Sequence, residues 1–589
     1  MRSLLRRVDY KWIALSNTTL GGLMAAMNAS IILIALPAIF RGIAVNPLDP
    51  AEIGYLLWML LGYMVVTAVF LVTFGRISDI YGRVRLYNAG FAVFTLGSIG
   101  LGLVTGHGNG AALYLILMRL VQGIGGGFLM ANSAAILTDA FPSNERGMAL
   151  GVNQIAAIGG SLGGLLLGGV LAAVDWRLVF LVSVPFGLIG TVWAYLMLRE
   201  ISRPQRNQRI DYAGNVTFAL ALTLLLTGIT YGIMPYGSAP TGWGSPTVVI
   251  CLAAGALALA VFVLVELRVP QPMFRLQLFS LRPFLFGNVS SFIASLARGG
   301  LQFMLVIWLQ GIWLPIHGFT FEQTPLWAAI YMIPLMAGFL FSGPLSGTFS
   351  DRWGARGLTT AGLAVMVVGF VGLNTLPTDF TYGPFAVLLL LLGIGMGMFS
   401  SPNTASIMNA VPADQRGACS GMTMTVQNSA TMFSMGLFFS VVIAGLAATL
   451  PGALGTGLSA AGLPAVLVHK IAGLPPTAAL FAAFLGYNPM GTLLPAAALG
   501  QLPAAARASL LSTHYFPSLM AQPFTDGLHT AFWMAAVLLV GATVASALRG
   551  KRYVHEEMAG TGGAAAGAGV PPLPVAAAGG HGGDGPAGA

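Results

Sequence analysis

Charge is scarce in this chain. Only 8% of its 589 residues are Asp, Glu, Lys or Arg, where a soluble domain carries roughly 25%. A water-soluble globule is therefore excluded. Cysteine is nearly absent too: Cys251 and Cys419 are the only two. They fall on opposite halves of the chain and read as free thiols rather than a disulfide framework. Catalytic signatures are missing as well. There is no Walker A run, metal-ligand cluster, nucleophile elbow or dinucleotide fingerprint. The glycine-rich stretch Gly123–Gly127 lies inside an apolar run and cannot cradle a phosphate. An enzyme and an ATP-driven pump are disfavoured, and no cofactor or metal is expected. Finally, all 18 acids can be assigned to loops, tails or helix ends, so neither a carboxylate nor a histidine is expected near mid-membrane.

What is plentiful is apolar sequence, at 56% of residues. Runs of about 20 apolar residues recur along the chain, the length of a membrane-spanning helix. The short alternating segments of a β-barrel are not evident. The pattern predicts an all-α polytopic protein with helices near 12–40, 54–75, 87–105, 111–138, 147–172, 178–198, 213–233, 247–266, 286–310, 326–349, 358–376, 384–408, 418–448 and 528–548. The net charge of +9 is topology, not a sign of nucleic acid. Arg41, Arg177, Lys470 and Arg507 fall outside, Arg119 and Arg298 fall within helices, and all other Lys and Arg fall inside. This bias predicts cytoplasmic N- and C-termini in a cell membrane. The basic arm before the first apolar run is expected to stay attached as a retained first helix.

An internal repeat organises these helices. Gly75-Arg76-Ile77-Ser78-Asp79-Ile80-Tyr81-Gly82-Arg83-Val84-Arg85 is echoed 272 residues later by Gly347-Thr348-Phe349-Ser350-Asp351-Arg352-Trp353-Gly354-Ala355-Arg356. Gly123–Gly127 aligns with Gly393–Gly397 at an offset of 270, and Ala140, Pro142, Arg146, Gly147 and Gly151 then fall on Ala410, Pro412, Arg416, Gly417 and Gly421. Parallel six-helix halves place a substrate path at their interface. The expected organisation is an arm (1–11), a first half (12–198), two inserted helices with basic linkers (199–285), a second half (286–548) and a disordered tail (549–589). The second half contains an outer loop, 449–527, expected to form short amphipathic helices on the membrane surface or over the transport mouth.

Several residues carry the candidate chemistry. Gly75 and Gly82 permit a tight turn. Asp79, with Arg83, can sit at a helix N-terminus or pair across the half-to-half interface, latching one conformation; Asp351 and Arg352 repeat the element. The bland reading is a solvated turn. Arg119 lies about 12 Å from the outer end of the fourth helix. Such a residue must face a cavity or a partner. Gln122 follows it, and Arg298 is the second mid-helix arginine; each is read either as a structural residue satisfied by polar neighbours or as a cavity group. Asn28, Gln154, Gln427 and Asn428 are further cavity candidates, and Asn132, Asn153, Gln302 and Asn403 are mid-helix polar residues that more often bond between helices.

These motifs resemble the major facilitator superfamily, in particular its 14-helix drug:proton antiporter branch. The resemblance rests on the Asp79 loop, on Arg119-x-x-Gln122-Gly123-x-Gly125, on Ala35-Leu36-Pro37 with Asn28 where the branch carries an acid, and on Trp58-x-x-x-x-Tyr63. It rests also on Gly159, Gly163 and Gly164, in an antiporter-like run where Gly160 replaces the usual proline. It implies a major facilitator fold and proton-driven export of small lipophilic compounds by alternating access. It implies a role for Arg119 in proton coupling, a lipid bilayer as the surroundings and a monomer as the working unit. A lipid, glycolipid or metabolite translocase, or an uncoupled facilitator, would use the same fold. A transport-dead sensor is disfavoured by the retained repeat.

Overall fold

Backbone polar groups have no water to turn to in a bilayer, so long apolar runs close their hydrogen bonds internally as helices. The computed structural model describes residues 9–46, 48–142, 145–201, 211–237, 239–270, 272, 274–411 and 416–550. The side chains of Pro50, Ala51, Ile53, Arg146, Gly147, Asp351, Arg416, Gly417 and Ala418 lie outside that description. So do most of the basic arm, much of the linker before the seventh helix, and the tail from 551 onward, whose expected disorder is therefore outside the described residues. Met1–Val554 forms one compact unit.

The first half contains α1 (Tyr10–Gly42), α2 (Pro50–Tyr81), α3 (Arg83–Gly102), α4 (Gly108–Ala140), α5 (Arg146–Val174) and α6 (Leu178–Met197). The inserted pair is α7 (Tyr212–Gly232) and α8 (Pro246–Glu266). The second half contains α9 (Arg282–Ile316), α10 (Thr324–Tyr331 continuing as Ile333–Trp353), α11 (Ala355–Leu373), α12 (Tyr382–Asn409) and α13 (Arg416–Ala460). Two short helices follow, α14 (Ala465–Ala472) and α15 (Pro476–Leu485), and the last long helix is α16 (Tyr515–Ala547). Thirteen of these are long and apolar enough to cross a membrane. Helix α3, 20 residues long, falls outside that set and packs against α4 and α6; a fourteenth span is reached only if α14 and α15 count as one bent helix.

Packing repeats between the halves. In the first, α1 packs on α5, α2 and α3 on α4, and α3 on α6; in the second, α9 packs on α13, α10 and α11 on α12, and α11 on α16. The halves meet through α5 against α10 and α2 against α13, which are equivalent pairs under the same exchange. Helix α7 lies against α2 and α13, whereas α8 packs chiefly on α7. A window of α8 with mean hydropathy 3.0 is only 22% buried, as expected of a lipid-facing helix.

The outer segment departs from expectation. Pro451 and Pro523 lie inside helices rather than ending them. The outer loop thus shrinks from 449–527 to 461–514, because α13 runs 45 residues to Ala460 and α16 begins at Tyr515. Within it, α15 is neither amphipathic nor on a surface. All ten of its residues are buried, against α1, α2, α9, α13 and α16. Apart from Thr477 its side chains are apolar all round, and a helix of that kind is stable only when covered on every side. The axis bends by 88° between α14 and α15. We call this end outer, and the end carrying the α2–α3 and α10–α11 turns inner.

Candidate functional site

Three groups of side chains stand out: one within the first half, one at its inner end, and one that joins the halves at the outer end.

Arg119 is 2% exposed in the middle of α4. Its Nη1 donates to Asn28 Oδ1 at 2.6 Å and to Gln122 Oε1 at 2.5 Å. Its Nε reaches the Met59 carbonyl at 3.4 Å. Gln122 Nε2 donates onward to Ser98 Oγ at 2.7 Å. The guanidinium carbon lies 4.7 Å from the centre of the Tyr63 ring, a cation–π contact. Four helices thus converge on one charge, and its partners among the described residues are neutral. Asn28 Nδ2 and the Tyr63 hydroxyl are buried without a hydrogen-bond partner. Small residues make the convergence possible. Gly126 leaves room for the Tyr63 hydroxyl, and Gly160 and Gly164 of α5 abut the carbonyls of Leu23 and Met27 on α1. Gly160, which replaces the branch's proline, is thus a contact point on α1. Gly159 and Gly163 lie off that contact, in open space. Ser30 and Ser161 hydrogen-bond across the same α1–α5 seam at 2.5 Å.

The other intramembrane candidates are not drawn into this cluster. Arg298, Gln427 and Asn428 are partly buried, and Gln154 is exposed. Gly299 and Gly300, next to Arg298, pack against Ser434 and Phe438 of α13. Asn153 and Asn403 make the interhelical bonds expected of them, to Ser133 at 2.7 Å and to Ser291 at 2.7 Å, whereas Asn132 bonds within its own helix, to the Phe128 carbonyl at 2.8 Å.

At the inner end of the first half, Arg83 is the hub. Its Nε donates to Asp79 Oδ1 at 2.9 Å, and its Nη1 donates to both Asp139 oxygens at 2.8 Å. Asp79 therefore meets an arginine of its own half. Gly82 takes φ +110 between α2 and α3, a region an L side chain rarely adopts. Glu200, just past α6, caps the start of α3: its two carboxylate oxygens accept from the Arg83 and Val84 N–H groups, each at 3.0 Å. Gly75 has open space around it, and Arg352 is exposed. The Asp351 side chain lies outside the described residues.

At the outer end, α9 opens into a π-helical turn over Leu309–Trp313, a distortion frequent at functional positions. It presents fully buried Gln310, whose Nε2 donates to the Ile34 carbonyl of α1 at 3.1 Å. Arg41 donates to the Phe321 carbonyl at 3.3 Å and lies 3.7 Å from Glu322. These are the side-chain hydrogen bonds that join the halves directly among the described residues. Phe481 of α15 stacks on Phe439 of α13 at 5.2 Å, and Phe484 packs against Gly311.

Sequence reasoning reached Arg119, Asn28, Gln122, Asp79 and Arg83. It missed Ser98, Glu200 and Gln310 as site residues. Gln310 could have been flagged as an amide beside a glycine in an apolar helix; Glu200, just past a helix end, carries no motif.

Residues 18–435 match the Major Facilitator Superfamily. Among curated relatives, the riboflavin transporter RibZ of Clostridioides difficile is 29% identical over 73% of this chain and 87% of the relative. The tetracenomycin C resistance and export protein of Streptomyces glaucescens is 27% identical over 91% of each chain. The multidrug resistance protein Stp of Mycobacterium tuberculosis is 30% identical over 74% and 77%. In fold, the chain is similar to a bacterial homologue of the human lysosomal transporter Spinster, with TM-score 0.53 at 16% identity over 92% and 97% of the two chains. A helical chain that repeats one six-helix packing pattern and matches this family over most of its length is a multi-span membrane transporter of the Major Facilitator Superfamily, and not an enzyme.

Proposed function

We propose that the chain exports small lipophilic compounds from the cytoplasm across the cell membrane by alternating access, coupled to protons, as a monomer with cytoplasmic termini. The two halves, 12–198 and 286–548, are the moving bodies, and the inserted helices (199–285) flank them. Alternating access is supported by where the halves are joined: Arg41 and α15 bridge their outer ends, with Gln310 spanning the same seam, while the Asp79–Arg83–Asp139 cluster stays within one half. Curated relatives named for antibiotic export and multidrug resistance support the cargo class.

The substrate charge follows from one observation. Among the described residues, Arg119 is buried among neutral partners, with no carboxylate on it. In a medium of low effective dielectric, a second cation placed near it is repelled strongly and an anion is attracted. Neutral and anionic amphiphiles are therefore the favoured cargo over dications. Protons have no acid at Asn28 to ride on. An inner-side carboxylate such as Asp139, bonded to Arg83, is the carrier we favour. The riboflavin transporter relative supports a second reading, a metabolite translocase. Proteoliposomes loaded with candidate cargoes, riboflavin among them, separate these readings. Cargo movement driven by an imposed pH gradient alone is expected. Its absence would end the proton-coupled reading, and preferred export of a divalent cation would end the charge assignment.

A further inference from the structure

Among the described residues, the two copies of the inner turn are capped differently. In the first half, the turn at Gly82 leads into α3, and the Glu200 carboxylate accepts from the first two N–H groups of that helix. A Cβ on Gly82 would lie 2.7 Å from a Glu200 oxygen. The matching turn of the second half is Gly354, with φ +83 where Gly82 has +110. Here a Cβ would meet nothing within 4 Å. Among the described residues no side chain accepts from the N–H of Ala355 or Arg356. Just past α16, as Glu200 stands just past α6, lies Arg549, a cation that turns inward to Asn403. Burial pushes its guanidinium down to about 10, so it remains charged at neutral pH.

Beside this turn an open groove of about 480 Å³ runs between α11 and α16, lined by Arg356, Gly357, Thr360, Ala361, Ala364 and Ala547. Its volume is within the range of small-molecule sites, roughly 300–1,000 Å³. Its walls are mostly apolar and lie on the outward side of both helices. Arg356 is exposed and makes no ion pair among the described residues, and the same holds for Arg352. Trp353, 75% exposed between them, is the kind of residue that sits at the headgroup level.

We propose that this groove binds one anionic phospholipid from the leaflet on the inner side. Its phosphate is held by Arg356 at the start of α11, where no described side chain caps the helix, and one acyl chain lies along Gly357, Ala361 and Ala364. The lipid phosphate does for α11 what Glu200 does for α3. Charge complementarity selects the occupant: a cationic rim above an apolar trough fits a headgroup with a chain attached, and the N–H groups of a helix start favour an anion.

The test uses the full-length protein in mild detergent, with native mass spectrometry after addition of dioleoyl phosphatidylglycerol or dioleoyl phosphatidylcholine. The wild type is expected to retain one phosphatidylglycerol at least tenfold more than phosphatidylcholine. Arg356→Gln and the groove-filling Ala361→Trp should each remove that preference, while Arg85→Gln, beside the matching turn of the first half, should keep it. Melting temperatures measured without lipid show that each variant is folded. Equal retention of the two lipids by the wild type, or a preference that survives in both groove variants, overturns the proposal. Displacement of phosphatidylglycerol by millimolar inorganic phosphate also overturns it, since the site would then take a free anion.

Discussion

The two halves share a packing plan but not a chemistry. Under the repeat, Arg119 falls on Leu389, Gln122 on Leu392, Arg83 on Ala355 and Asp139 on Asn409. Arg119, Arg83 and Asp139 thus become neutral in the second copy, and Asp79 keeps its charge as Asp351. Leu389 and Leu392 are fully buried in the corresponding seam. The backbone arrangement therefore does not need the polar groups; an apolar filling serves it equally. A buried charge that the fold does not require, and that costs several kcal/mol unless compensated, has to be explained by what the first half does. The difference teaches that the first half holds these charged groups and the second presents largely apolar side chains in their place.

The sharpest way to break this comparison is to make the first half like the second. Arg119→Leu should fold, since Leu389 shows that the seam accepts leucine. It should cut transport in proteoliposomes roughly a hundredfold, equivalent to about 2.7 kcal/mol. The reciprocal Leu389→Arg should fail to give monodisperse protein, because no Asn28, Gln122 or Ser98 awaits it. If Arg119→Leu transports normally, the cluster is structural and the asymmetry has no functional content.

The inner hub is expected to matter less. Arg83→Ala copies Ala355 and leaves Asp79 and Asp139 without their shared cation. Charge-assisted hydrogen bonds contribute about 1.5–3 kcal/mol each. These are partly exposed, at 22% for Arg83, so a drop of about tenfold in transport rate is the expectation. Asp139→Asn, copying Asn409, removes the proton carrier we favour as well as the ion pair, so transport driven by an imposed pH gradient should fall at least as far. The double variant should lose more than Arg83→Ala alone, because Asp139 does more than pair with Arg83. A double variant no worse than Arg83→Ala alone would show that Asp139 acts only through Arg83 and is not the carrier.

The repeat itself was legible in the sequence, because the Asp79 and Asp351 turns and the two glycine-rich helices keep their spacing. The spans were legible because apolar runs in lipid have one good solution. The outer segment was misjudged for a physical reason: Pro451 and Pro523 look like helix ends, yet the neighbouring turns stay helical where packing covers them. An amphipathic reading of the outer segment does not fit α15, whose apolar sequence only Thr477 breaks. Within the candidate site, Asn28, Arg119 and Gln122 were visible as polar residues in apolar runs. Ser98 and the Met59 carbonyl were not, since a serine in a helix has many uses and a carbonyl leaves no mark in sequence. Glu200 acts 117 residues from Arg83, a pairing that only the folded chain reveals.

A third variant sharpens the electrostatic side of the comparison. Asn28→Asp would place a carboxylate where Asn28 Oδ1 now lies 2.6 Å from Arg119 Nη1. The cluster would then contain its own counter-ion. Anionic cargo should be exported several-fold more slowly and cationic cargo faster. Transport should also gain a pH dependence that the amide cannot supply, since burial and the guanidinium act in opposite directions on such an acid. Unchanged cargo preference across the variant would remove Arg119 as the source of charge selection.

The smallest expected effect lies where the halves touch. Gln310 makes one hydrogen bond to the Ile34 carbonyl, while its own Oε1 is buried without a partner. Ile34 sits within α1, so its carbonyl is not orphaned when Gln310 is lost. Once the outer end opens, water can satisfy the whole amide. Gln310→Leu therefore removes a group that gains more from opening than it gives to closure, and adds apolar surface that gains from staying closed. The balance should favour the closed outer end by about 1 kcal/mol, a roughly fivefold rarer opening, with transport slowed to match. Distances between labels placed on either side of the outer end, measured by single-molecule fluorescence, report that population directly. A shift toward the open state in Gln310→Leu would show instead that the bond to Ile34 outweighs the stranded oxygen, and that Gln310 is a clasp rather than a bias toward release.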